Sequence, residues 1–149
     1  LDTSAIVKRY GKEIGSDWIR GLTDPIANHA VILGEITLVE VAATLAAKHR
    51  APRSISRHER DEALSFLLRH CRTEYELMAT SRPIIDQAVD LTQNHRLRGY
   101  DAVQLATAIV ANEIFLRDGL SPLTFVTADN DLLTAANAEG LMAENPNLH

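Results

Sequence analysis

Four acidic residues stand in settings where a carboxylate could do chemistry. They are Asp2 in Leu1-Asp2-Thr3-Ser4-Ala5, Glu40 in Thr37-Leu38-Val39-Glu40-Val41, Asp101 in Arg98-Gly99-Tyr100-Asp101-Ala102, and Asp129 in Thr127-Ala128-Asp129. Carboxylate oxygens are hard ligands of the kind Mg²⁺ and Mn²⁺ prefer, and Mg²⁺ keeps several waters when bound. Each acid also has a plainer reading. Asp2 could cap a first helix, Glu40 could complete a Thr-x-x-Glu capping box with Thr37, and Asp101 and Asp129 could stabilise helix N-termini against the helix dipole. Asp131 rivals Asp129 and reads as a solvated first-turn residue. His29, His49, His58, His70 and His95 form no His-x-x-x-His pair, which argues against zinc.

The elements that would position these acids alternate short apolar runs with amphipathic ones, the pattern of an α/β fold. Leu1-Asp2 reads as the end of a first strand, expected to be truncated at the N-terminus. Ser4 can cap a helix carrying Ile6, Val7 and Tyr10, and a second helix is expected over 14–22. Residues 30–33 read as a buried strand closed by Gly34, and 38–49 as a helix. Ser56-Arg57-His58-Glu59 is a capping box opening the next helix. A strand over 75–78 follows, then a helix from Ser81 with Pro83 in its first turn. Gly99 reads as a break before a helix over 101–116. A strand over 123–127, a helix capped by Asp129 and a short strand over 141–143 complete the pattern. Strands separated by helices imply a parallel sheet with right-handed crossovers, and ligands sit beyond the carboxyl ends of such strands. Asp2 and Asp129 directly follow strands, so the acids could converge on one sheet edge.

A chain of 149 residues fits one domain, taken as 1–149. Its net charge of −5 argues against nucleic-acid binding by bulk charge alone. The distribution is uneven. From Lys48 to Arg72, seven cations stand against three anions, giving that segment +4 and the remainder −9. This segment, with Arg50, Arg53 and Arg57, reads equally as a guide for a phosphate backbone and as a solvated helical hairpin. Trp18 and Tyr100 read as packing residues. The single cysteine, Cys71, cannot form an internal disulfide, so a reducing cytoplasmic location is expected. No apolar run approaches the roughly 20 residues needed to cross a bilayer, and no secretory signal is visible.

In order and spacing the four acidic segments resemble the PIN-domain family, in particular the VapC-like toxins of bacterial and archaeal toxin–antitoxin pairs. Asp2-Thr3-Ser4 and Gly99-Tyr100-Asp101, followed by Leu105-Ala106, are the most specific parts, and the resemblance covers nearly the whole chain. It implies a three-layer α/β/α fold with a central, mainly parallel sheet, and a divalent-metal endoribonuclease using Mg²⁺ or Mn²⁺. Asp2, Glu40 and Asp101 match the three core acids and Asp129 the more variable fourth, as both catalytic and metal-binding residues. Ser4 and Thr127 match polar neighbours that hold metal-bound water. Gly34 departs from the serine or threonine frequent in the family. The resemblance further implies an RNA substrate such as transfer RNA, a cognate antitoxin and a homodimer.

Other classes fit less well. A haloacid-dehalogenase phosphatase would want Asp-x-Asp where Asp2-Thr3-Ser4 stands, a receiver domain would want a lysine after Lys48, and no Gly-x-x-x-x-Gly-Lys phosphate loop is present. The alternatives within the family are a nuclease acting in RNA processing or on DNA, and a non-catalytic PIN-like binding module. The last predicts loss of a core acid, and none is lost.

Overall fold

Short apolar runs form parallel strands, and the first two residues tie them together. Val31–Gly34 (β1) pairs in parallel with Tyr75–Met78 (β2), Val31 opposite Tyr75. Thr124–Val126 (β3) pairs in parallel with Met142–Glu144 (β4), Thr124 opposite Met142. Between the two pairs, the Leu1 amino group donates to the Ile32 carbonyl at 3.1 Å and the Asp2 N–H donates to the Val126 carbonyl at 3.0 Å. Successive residues thus bond to opposite sides, as in the centre of a sheet. Leu1 and Asp2 occupy the place of the expected end of a first strand. The computed structural model describes residues 1–52 and 54–149; Arg53 of the basic segment lies outside the described residues.

Helices cover both faces of the strands. Thr3–Ile6 (α1) runs into a 3₁₀ turn over Val7–Tyr10 and is followed by Ser16–Leu22 (α2). The longer helices are Glu35–Arg50 (α3), Arg57–Thr73 (α4), Arg82–Asn94 (α5), Gly99–Arg117 (α6) and Asn130–Ala138 (α7). Phe125 and Val126 are adjacent in β3 and point to opposite faces, as the period of two requires. Phe125 packs with Ile84, Leu91, Leu105 and Leu132 of α5, α6 and α7, whereas Val126 packs with Ala5 of α1 and Ile19 of α2. A further cluster joins Ile6, Val31, Leu33, Val41, Leu67 and Cys71. Among the described residues no helix is long and apolar enough to cross a membrane.

Three local expectations shift, each at a helix start. Ser4 lies inside α1, which is capped by Asp2. The aspartate two residues earlier reaches the free Ala5 N–H, and Ser4 turns its hydroxyl back to that carboxylate. Gly99 does not break the chain but opens α6, where the first N–H groups need no intrahelical partner. Helix α3 begins at Glu35 directly after Gly34, so Thr37 and Glu40 both lie within it. This rules out the Thr37–Glu40 capping box. The predicted capping box of α4 forms, with Ser56 and Glu59 bonded reciprocally.

The 3₁₀ turn that follows α1 is anchored by polar contacts. Arg9 pairs with Glu74 at 2.8 Å and donates to the Tyr75 hydroxyl; Tyr10 Oη lies 3.0 Å from His70 Nδ1 and 3.1 Å from Tyr75 Oη. Burial, together with the adjacent Tyr75, pushes the Tyr10 phenol up, so both groups stay neutral donors and acceptors at ordinary pH. This buried polar cluster clamps the end of the 3₁₀ turn to the junction of α4 and β2.

A candidate acidic active site

Each acid comes from a different element. Asp2 precedes α1, Glu40 lies in the second turn of α3, Asp101 in the first turn of α6, and Asp129 caps α7 just beyond β3. Asp2 is buried and fully engaged. Its Oδ1 accepts from the Ala5 N–H and its Oδ2 from the Thr127 hydroxyl at 3.0 Å, while Ser4 Oγ sits 2.9 Å from both oxygens. Burial pushes the Asp2 carboxyl above its ordinary range, and the Ala5, Ser4 and Thr127 donors pull it back. Thr127 is wholly buried and serves two acids, since its oxygen also accepts the Asp129 N–H at 3.1 Å. Ser4 likewise accepts the Ala128 N–H at 2.8 Å. The turn that presents Asp129 is thereby fastened to Asp2. Asp129 Oδ1 accepts from the N–H groups of Asp131 and Leu132. The capping readings of Asp2 and Asp129 are therefore real, and they fix these side chains in place.

Glu40 is held from below. Thr3 Oγ1 and Gln104 Nε2 each donate to Glu40 Oε2 at 2.7 Å. Sequence reasoning passed over Thr3 and Gln104; Gln104 lies three residues after Asp101, so the two share a helical face. Asp101 is pushed above its ordinary value by burial and by the charges of Asp129 and Glu40, against a pull from the Arg98 backbone N–H. The fold thus brings the charges of α3, α6 and α7 near one another. Asp2 is linked to this group through Thr3, its neighbour, and through Thr127.

The carboxylates are near but not drawn into a cage. Among the described residues no group of three or more His, Cys, Asp or Glu side chains is close enough to hold an ion as it stands. The donor set nevertheless suits a hard, hydrated cation such as Mg²⁺, which binds through one or two carboxylates and keeps its waters. Asp129 is exposed and Glu40 and Asp101 are half-buried, whereas Asp2 is buried. None of the four acids lines the cavity of about 560 Å³ between β1 and β3 or the groove of about 890 Å³ beside α4. Gly34 is not required by space, because a Cβ there would meet Thr107 at 3.5 Å, an ordinary contact. Tyr100, expected to pack, is 61% exposed beside Asp101, while Trp18 stacks on His149.

The polar bracing makes a stability prediction. Thr127→Val keeps the shape but strips the buried Asp2 carboxylate of a donor and leaves the Asp129 N–H without its acceptor. Unfolding in urea should show a loss of about 1–3 kcal/mol. An unchanged midpoint would mean that Asp2 and the Asp129 turn do not depend on this hydroxyl.

Residues 1–138 match the family model of the PIN domain. The chain is also 32% identical over 147 residues to Ribonuclease VapC35 of Mycobacterium tuberculosis strain CDC 1551 / Oshkosh, covering 98% of this chain and 95% of the relative. The same protein of strain ATCC 25618 / H37Rv matches with the same identity and coverage. A helix-rich α/β fold with parallel strands and a match over nearly the whole length agree, and the chain belongs to the PIN-domain family.

Proposed function

We propose that this protein is a divalent-metal-dependent endoribonuclease and the toxin of a toxin–antitoxin pair. The observation that carries the reading is that Asp101, raised by burial, also feels the charges of Asp129 and Glu40, which are brought to it from the start of α7 and from α3. Similarity to a ribonuclease over nearly the whole chain supports RNA as the substrate. Bound Mg²⁺ or Mn²⁺ would supply an activated water and charge screening at the attacked phosphate. Asp101, Asp129, Glu40 and Asp2 would hold the cation, with Ser4 and Thr127 fixing Asp2 and the Asp129 turn. The exposure of Asp129 and the partial exposure of Glu40 and Asp101 suit a polymer lying across them. Arg50 and Arg57 are exposed, with no ion-pair partner among the described residues, and would meet the RNA backbone. A cognate antitoxin would cover the site, and the reducing cytoplasm suits the lone Cys71. Ile85 and Val89, exposed one turn apart on α5, support the expected homodimer.

The test is sequencing of RNA ends after purified protein is incubated with total cellular RNA and Mg²⁺ or Mn²⁺. Recurrent internal cuts, absent in EDTA, are expected. Cuts that persist in EDTA, or no cuts with either ion, would overturn the reading.

A further inference from the structure

We infer that Gln104 is a positioning residue that sets the metal-binding orientation of Glu40; this rests on the metal-site reading above. Gln104 is buried on α6, one turn after Asp101. A carboxylate only accepts hydrogen bonds, so the amide must turn its NH₂ end toward Glu40. Gln104 Nε2 donates to Glu40 Oε2 at 2.7 Å and lies 2.9 Å from Thr37 Oγ1, while Thr37 donates to Gln104 Oε1 at 3.1 Å. Thr37 is wholly buried, so the amide is itself held at both ends. Thr3 Oγ1 donates to the same Glu40 oxygen at 2.7 Å. Two donors therefore converge on Oε2, and neither engages Oε1. Glu40 is a flexible side chain on α3, and the network removes its rotameric freedom before any cation arrives. It also joins the three elements that carry Asp2, Glu40 and Asp101, because Thr3 follows Asp2 and Gln104 follows Asp101 by one turn.

The experiment uses calorimetric titration of the whole chain with Mn²⁺ alone. Gln104→Leu should weaken Mn²⁺ binding by about 10–100-fold, the usual effect of removing a partner that orients a metal ligand. Thr3→Val, a milder change at a half-buried position, should weaken it in the same direction. In a Glu40→Gln background each substitution should change affinity by less than about twofold, because its effect runs through the carboxylate. Equal losses in both backgrounds would overturn the inference and make Gln104 a packing residue. Wild-type affinity in Gln104→Leu would overturn it as well. If the wild type binds no Mn²⁺, or Asp101→Asn binds as well as wild type, the metal-site reading itself falls, and this inference with it.

Discussion

Replacing Asp101 with asparagine is expected to reduce RNA cleavage by about a thousandfold while the protein stays folded. The substitution keeps the size and the shape of the side chain and removes its charge. A cation that polarises a phosphoryl oxygen contributes several kcal/mol to the transition state, and each ~1.4 kcal/mol is tenfold in rate. Asp101 is the acid on which the charges of Asp129 and Glu40 bear, so its loss disturbs the whole group. Its role in helix α6 is small by comparison, since the first-turn dipole interaction is worth about 0.3–1 kcal/mol. Initial rates on one defined RNA, with circular dichroism of the same sample, provide the check. Cleavage within a few-fold of wild type by a folded variant would remove Asp101 from the site.

Mg²⁺ is expected to raise the melting temperature of the wild type strongly and that of Asp101→Asn little. A ligand that binds only the folded state adds about 2.7 kcal/mol at a hundredfold excess over its dissociation constant. For a chain of this size that is roughly 5–10 °C. Without metal the sign reverses. Burial and the neighbouring carboxylates hold the folded Asp101 above its ordinary value of 3.8, so the folded state binds the proton more tightly than the unfolded chain. The stability this contributes is complete below the unfolded value and is lost as pH rises through the folded one. At neutral pH in EDTA the charged Asp101 therefore destabilises the fold, and asparagine should melt higher. Below the unfolded value the carboxyl is protonated in both states, and the advantage should vanish. Melting curves in EDTA and in Mg²⁺ across this range check both signs. Equal Mg²⁺ shifts in the two proteins, with a lower-melting variant in EDTA, would leave Asp101 as a helix-start residue only.

The sequence alone determined the identity of the elements and the choice of the four acids. Apolar runs of three to four residues around Val31 and Phe125 became strands because their successive side chains point to opposite, covered faces, and the run from Tyr75 pairs with the first of them. The Ser56–Glu59 box forms because capping depends on four consecutive residues and needs no distant partner. Asp2, Asp101 and Asp129 could be singled out because each stands at a strand end or helix start, a position that local sequence marks, whereas Glu40, in the second turn of α3, is marked by its Thr-x-x-Glu setting and its place in the family's order.

What only the tertiary structure decided is how those acids are held. Whether Thr37 caps a helix depended on where β1 stops. The strand runs directly into α3 at Gly34, which places Thr37 in the interior and frees it for Gln104. Thr3 and Gln104 are ordinary polar residues in sequence, and Thr127 is marked only by the family resemblance. Their partners lie 37, 64 and 125 residues away, at Glu40, Glu40 and Asp2. A hydrogen bond across such a span leaves no periodic trace, since no local propensity encodes it. The same holds for the raised Asp101 carboxyl, whose shift comes from burial and from charges on two other helices. Local sequence specifies the donors and acceptors; only packing the helices on both faces of the strands brings them within hydrogen-bond reach.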